Sequence, residues 1–173
     1  APVNLFTIEA LTSIMNLHFT RLRRGTQKRV HFCATDVRHC FHQLPLPLRY
    51  RKHYGIHLYR ELGTLFPVVW PMGASPAPGI GNAVTWSLLL HGLEGADNKN
   101  ARDNLGIKWE GEKFDTLIPW LPLKNGGAIF VLIDNIFVIT PDNEIFQNWQ
   151  NRIVRAANTF KVALKEVDDA PDE

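Results

Sequence analysis

Ile8, Leu11, Met15, His18 and Leu22 recur at spacings of three and four, which predicts a helix over 7–23 with one buried face. Gly25 is placed to end it. Residues 30–36 then read as a strand. The Leu44-Pro45-Leu46-Pro47 run is excluded from a central strand, because proline has no ladder donor. Residues 54–59 and 65–70 are expected to be strands, turning around Glu61, Leu62 and Gly63. A loop rich in Pro, Gly and Ala is expected over 71–81, followed by an apolar helix over 82–91. Residues 92–113 are polar and irregular, with short strands expected near 107–109 and 116–118. Residues 129–133 and 136–139 are β-branched runs joined by Asp134-Asn135, a hairpin signal. Phe146, Trp149, Ile153, Val154, Ala157 and Phe160 predict an amphipathic helix, capped around Pro141-Asp142. Residues 162–164 suggest a last strand. Strands and helices in this order, with hairpins and no internal repeat, predict an α+β fold.

The chain has 173 residues, 45% of them hydrophobic and 21% charged, as in a globular domain. The longest apolar run, 128–139, is interrupted by Asp134 and Asn135 and falls short of the ~18 residues of a membrane span. No membrane partner is expected. A net charge of +2 does not by itself argue for nucleic acid. Arg21, Arg23, Arg24, Lys28 and Arg29 form one basic cluster, and Arg49, Arg51 and Lys52 another; a solvated face is the ordinary reading of each. Two cysteines, Cys33 and Cys40, fit an intracellular, reducing compartment better than a disulfide scaffold. The chain begins with alanine and no signal peptide is legible, so a processed chain or a fragment is expected.

Asp36 closes an apolar strand, and Asp134 has apolar runs on both sides. A buried carboxylate costs several kcal/mol (an order of magnitude) unless it is paired, hydrogen-bonded or on a metal. Each alone reads equally well as a strand-end or turn aspartate. Together, if the strand lies beside the hairpin, they converge at one sheet edge. Carboxylate oxygens suit magnesium or manganese, and ions held there activate a hydroxyl and steady phosphate oxygens.

Three motifs then carry a family resemblance. The run Asp36-Val37-Arg38-His39-Cys40-Phe41-His42-Gln43-Leu44-Pro45-Leu46 resembles the first palm motif of reverse transcriptases, most like those of gypsy-type LTR and DIRS-type retroelements. Trp70-Pro71-Met72-Gly73-Ala74-Ser75-Pro76-Ala77-Pro78 is similar to the second. Leu132-Ile133-Asp134-Asn135 resembles the aspartate hairpin. The likeness covers about residues 5 to 166, in the family's order. It implies a polymerase palm: an antiparallel sheet with the aspartate hairpin, helices packed on one face, part of the fingers and no thumb. Residues 1–29 would be a leading helix and basic turn, 30–166 the palm core and 167–173 an acidic tail.

The resemblance further implies RNA-directed DNA polymerisation from deoxynucleoside triphosphates on an RNA template and DNA primer. Asp36 and Asp134 would be catalytic, holding Mg2+ or Mn2+ with the Val37 carbonyl. Phe41 would lie under the sugar and reject a 2′-hydroxyl, Met72 and Gly73 would touch nucleotide and template, and Lys165 would approach the triphosphate. The chain departs from the pattern in two hairpin residues. Asn135 replaces a second aspartate and lacks its charge, and Leu132 replaces an aromatic. No fingers segment with triphosphate-binding basic residues is legible before the motifs and no thumb or RNase H domain after them, so either a partial polymerase is expected or other polypeptides supply these pieces. The rival expectation is a domesticated palm without turnover, an RNA-binding or scaffold subunit of a ribonucleoprotein.

Weaker signals are set aside. His31, Cys33, His39, Cys40 and His42 fit no paired zinc knuckle. Gly79-Ile80-Gly81 begins a dinucleotide-like pattern, but Val84 stands where the third glycine belongs. The tryptophans Trp70, Trp86, Trp109, Trp120 and Trp149 read as core before they read as base-stacking platforms. His53 and Tyr54 follow a basic group and are candidates for template backbone contact.

Overall fold

The computed structural model describes residues 8–26, 29–58, 63–108 and 120–165, with the backbone of residues 168–169. Its frame is an antiparallel sheet whose strands run in the order β4-β5-β6-β1-β7. These are β1 (His31–Asp36), β4 (Trp120–Pro122), β5 (Ala128–Leu132), β6 (Asn135–Thr140) and β7 (Asp168–Asp169). A separate pair, β2 (Ile56–His57) and β3 (Thr64–Leu65), forms a short ribbon. The helices are α1 (Ile8–Arg23), α2 (Cys40–Gln43), α3 (Leu48–Arg51), α4 (Ala77–Leu90), α5 (Lys99–Asn104) and α6 (Asn143–Phe160). The α+β class expected from the pattern is therefore observed. No helix among the described residues is long and apolar enough to cross a membrane.

Alternation along the strands divides the core in two. Cys33, Ile129, Val131, Ile136 and Val138 point to one face, where they pack with Trp86 and Leu89 of α4 and Trp149 and Ile153 of α6. Ala128, Phe130 and Ile139 point to the other, against Ala10, Leu11, Ile14 and Met15 of α1. The expectation of helices on one face is thus corrected. Both sheet faces are apolar, and each needs a cover. Helix α1 is fastened at its end by His18 and Arg21, which reach the carbonyls of Gly126 and Asn125 at 3.0 and 3.1 Å. Arg21 of the basic cluster thus serves packing.

Three other boundaries move. Helix α4 begins at Ala77, inside the expected loop, because its proline lies in the first turn, where a missing N–H costs nothing. The expected strands over 54–59 and 65–70 shrink to two residues each. Tyr54 belongs to a 3-10 turn, and Pro67 removes a ladder donor just after β3. Glu61 and Leu62 of the expected turn lie outside the described residues, as do 109–119 with Trp109 and most of the two short strands expected there. Ile107 does make a bridge to Leu123, and Leu164 one to Val37.

Helix α6 follows its predicted pattern except at Val154 and Phe160, which are exposed because they lie off the face that meets the sheet. The Asp142 carboxylate accepts the Glu144 and Ile145 N–H groups at 3.0 and 3.2 Å, and Ile145, Phe146, Trp149, Ile153 and Ala157 are buried. Helix α4 is held at its far end by arginines. Arg152 donates to the Leu89 carbonyl at 2.6 Å and to His91, and Arg102 donates to Leu93 and Gly95 at 2.6 Å each. Arg152 thereby satisfies the Leu89 carbonyl, which the helix terminus leaves unpaired, while Arg102 ties down the loop that follows.

A candidate two-carboxylate site

Strand β1 pairs with β6 in a register that sets Asp36 opposite Asn135. The next residue, Val37, donates its N–H to the Asp134 carbonyl at 2.9 Å. Asp36 and Asp134 are therefore neighbours at one end of the sheet, near enough that Asp36 disfavours ionisation of Asp134. Burial raises the Asp134 carboxyl above its ordinary value first of all, and Asp36 adds to this. The Asp134 peptide N–H and Lys165 act the other way.

The turn is displaced by one residue from its expected position. Ile133 and Asp134 form it, while Asn135 is the first residue of β6. Ile133 has φ +61°, left-handed. A β-branched residue is a poor occupant of that region, at a cost of about 1–3 kcal/mol. The cost is offset by α4. Asn82 Oδ1 accepts the Ile133 N–H at 3.1 Å, and the Thr85 hydroxyl donates to the Ile133 carbonyl at 2.7 Å. Gly81 permits the approach: a Cβ there would stand 3.0 Å from the Ile133 Cγ2 and 3.5 Å from the Phe41 Cε1. Asn135 turns its amide to Asp134, donating to Oδ1 at 3.2 Å.

Asp36 has one oxygen committed. Lys165 Nζ contacts its Oδ2 at 2.5 Å, and the Lys165 ammonium is held above its usual range by that bond and by the charge of Asp36. The other oxygen, Oδ1, is buried without a hydrogen-bond partner among the described residues. Lys165 is brought there by a short strand-like contact: its N–H donates to the Asp36 carbonyl at 2.8 Å, and Arg38 donates to Ala163 at 2.9 Å. Gln43 reinforces this contact. Its Oε1 accepts the Ala163 N–H at 3.0 Å, and its amide donates to the Arg38 carbonyl.

The other expected residues divide. Phe41 is half-buried, packed with Leu46, Trp70, Ala74 and Ala77 beside the hairpin. Met72 and Gly73 lie exposed on the loop that leads into α4, and no described contact ties them to the carboxylates. Trp86 and Trp149 are fully buried and Trp70 nearly so, as core residues. Cys40 is buried beside the site, its thiol pushed up to about 11 by burial and by Asp134 and Asp36. His31 packs on Phe146 with ring centroids 5.3 Å apart.

The two acids fit a hard divalent cation. An orphaned carboxylate oxygen and a second carboxylate beside it are acceptors without enough donors. Magnesium is commonly bound by one or two carboxylates, with water and substrate phosphates completing the shell. Among the described residues no three His, Cys, Asp or Glu side chains form a metal-holding group, so the donors described do not amount to an all-protein cage. Asn82 and Thr85 were given no role in the sequence, and Gln43 entered only as part of the first motif. The legible signal for Asn82 and Thr85 was two polar residues, three apart, on one face of a largely apolar helix. None of the protein-family models compared with the chain matches it, and no curated protein does.

Proposed function

We propose that the chain is a reverse-transcriptase-like palm, transferring deoxynucleotides from their triphosphates to a primer 3′-hydroxyl on an RNA template. The observation that carries this reading is the adjacency of Asp36 and Asp134, from strands distant in sequence, at one sheet end. Magnesium or manganese bound there would lower the barrier by activating the hydroxyl and neutralising phosphate charge. The chain's own residues supply the setting. Asp36 offers an unpartnered oxygen, and Asp134 stands on a turn fixed by α4. The Val37 carbonyl follows Asp36 directly and is the third donor the resemblance implies. Phe41 supports the sugar of an incoming nucleotide and crowds a 2′-hydroxyl. Lys165, paired with Asp36, brings a cation to the edge where a triphosphate would lie. Met72 and Gly73, on the loop before α4, face nucleotide and template.

One observation favours a second reading, a palm without turnover that binds RNA or scaffolds a ribonucleoprotein. Asn135 stands opposite Asp36 and spends its amide on Asp134, where a second carboxylate would supply another ligand. Primer extension separates the two. The polymerase reading expects Mn2+-dependent extension by the wild-type chain and a loss of at least about 100-fold in Asp36→Asn, since each tenfold is about 1.4 kcal/mol of barrier. Equal extension by both proteins removes Asp36 from the mechanism. No extension and no Mn2+ binding at millimolar concentration leaves the scaffold.

A further inference from the structure

We propose that Asn82 and Thr85 are positioning residues for Asp134: they grip the peptide groups that precede it and hold its carboxylate beside Asp36 in advance of any ion. The proposal rests on the two-carboxylate reading above and assigns α4 a part in it. Asn82 and Thr85 are each 2% exposed, on a helix whose other buried residues are largely apolar. Spaced three apart, they share one face. Between them they take both backbone polar groups of Ile133, the N–H on Asn82 and the carbonyl on Thr85. A tight hairpin turn with a left-handed residue ordinarily uses Gly, Asn or Asp. Here isoleucine occupies that position with φ +61°, and the helix side chains hold what the residue type disfavours. Gly81, one residue before Asn82, has its missing Cβ aimed at Ile133, so α4 lies against the turn itself.

The geometry fixes a direction for Asp134. Its carbonyl is bound by Val37 N–H from the β1 side, and the preceding residue is bound from the α4 side. The turn is therefore held between two elements, and loosening either frees the carboxylate to swing away from Asp36. Partners of this kind, one step behind a ligand, typically tune metal affinity by about 10–100-fold. A merely structural pair would instead lower the melting temperature and leave the affinity of the folded protein unchanged.

The test uses Thr85→Val, which keeps the shape and removes the donor, Thr85→Ser, which keeps the donor, and Asn82→Leu. Each is compared with wild type by Mn2+ titration well below its melting temperature. Thr85→Val is expected to bind Mn2+ at least about tenfold more weakly, with Thr85→Ser restoring affinity to within about twofold. Hydrogen exchange in ion-free protein gives a second readout. The Ile133 amide is expected to exchange at least about tenfold faster in Asn82→Leu, with Val138 in the same hairpin unchanged. Wild-type affinity in Thr85→Val overturns the proposal, as does wild-type exchange of Ile133 in Asn82→Leu. If Thr85→Val does not fold, Thr85→Ala takes its place with the same expectation. A wild-type chain that binds no Mn2+ sinks the two-carboxylate reading instead. The exchange result still shows whether the grip exists.

Discussion

At the scale of single residues, the site is a set of groups kept out of their preferred states. Asp134 is the clearest case: burial and Asp36 raise its pKa above 3.8. The folded chain then binds the proton more tightly than the unfolded chain, so this group favours folding most below pH 3.8. Its contribution falls as pH rises through the raised value. Asp134→Asn removes that penalty. It is expected to melt higher than wild type at pH 7, and the gap should close as the pH falls toward 3.8. Solvent screening keeps the relief below about 1 kcal/mol, a shift of no more than about 2–4 °C. Millimolar Mn2+ should reverse the order, because only the wild type gains binding energy in its folded state. Calorimetric scans across pH, with and without ion, check both. Apolar runs flanking a lone acid made both aspartates legible in the sequence. The turn was misplaced by one residue because Asp134-Asn135 has the better turn chemistry. What shifts it to Ile133 is a contact from residue 82, which no local pattern contains.

Among elements, legibility followed how far each is determined by its own residues. Helix α6 has its own cap and an apolar face, and both are legible in its own residues, although Val154 and Phe160, expected on that face, are exposed. Removing the cap by Asp142→Ala leaves two N–H groups without their acceptor. It is expected to cost about 1 kcal/mol, a fall of about 2–4 °C for a chain this size, measured by thermal unfolding. The start of α4 was missed because Pro76-Ala77-Pro78 has loop composition, yet prolines are tolerated where a helix begins. The ribbon of β2 and β3 was overread. Its apolar residues, Ile56, Leu65, Phe66 and Val68, suit a strand by type, but all are at least half exposed in the fold and have little packing to extend it.

For the molecule as a whole, stability should be uneven. Strands β5 and β6 carry buried residues on both faces and β1 on one, with Phe32 exposed on the other, whereas β2 and β3 share only two paired positions. Native-state hydrogen exchange is expected to find the slowest amides at Ile129, Val131 and Val138, opening near the global free energy. Those of β2 and β3 should open several kcal/mol more easily, on the order of local fraying. Uniform protection across both sheets would contradict this. The class of fold was legible because its periodicities are local. The second cover, α1, was legible as a helix but not as the lid of the opposite face, since sheet faces exist only after pairing. The same dispersal has a consequence for biosynthesis. Asp36, Asn82, Asp134 and Lys165 come from four separate stretches. A nascent polypeptide emerging from the ribosome can complete its amphipathic helices early, but no half-made copy carries the site. It comes into being only after residue 165 has been synthesised and has paired beside a strand made 129 residues earlier.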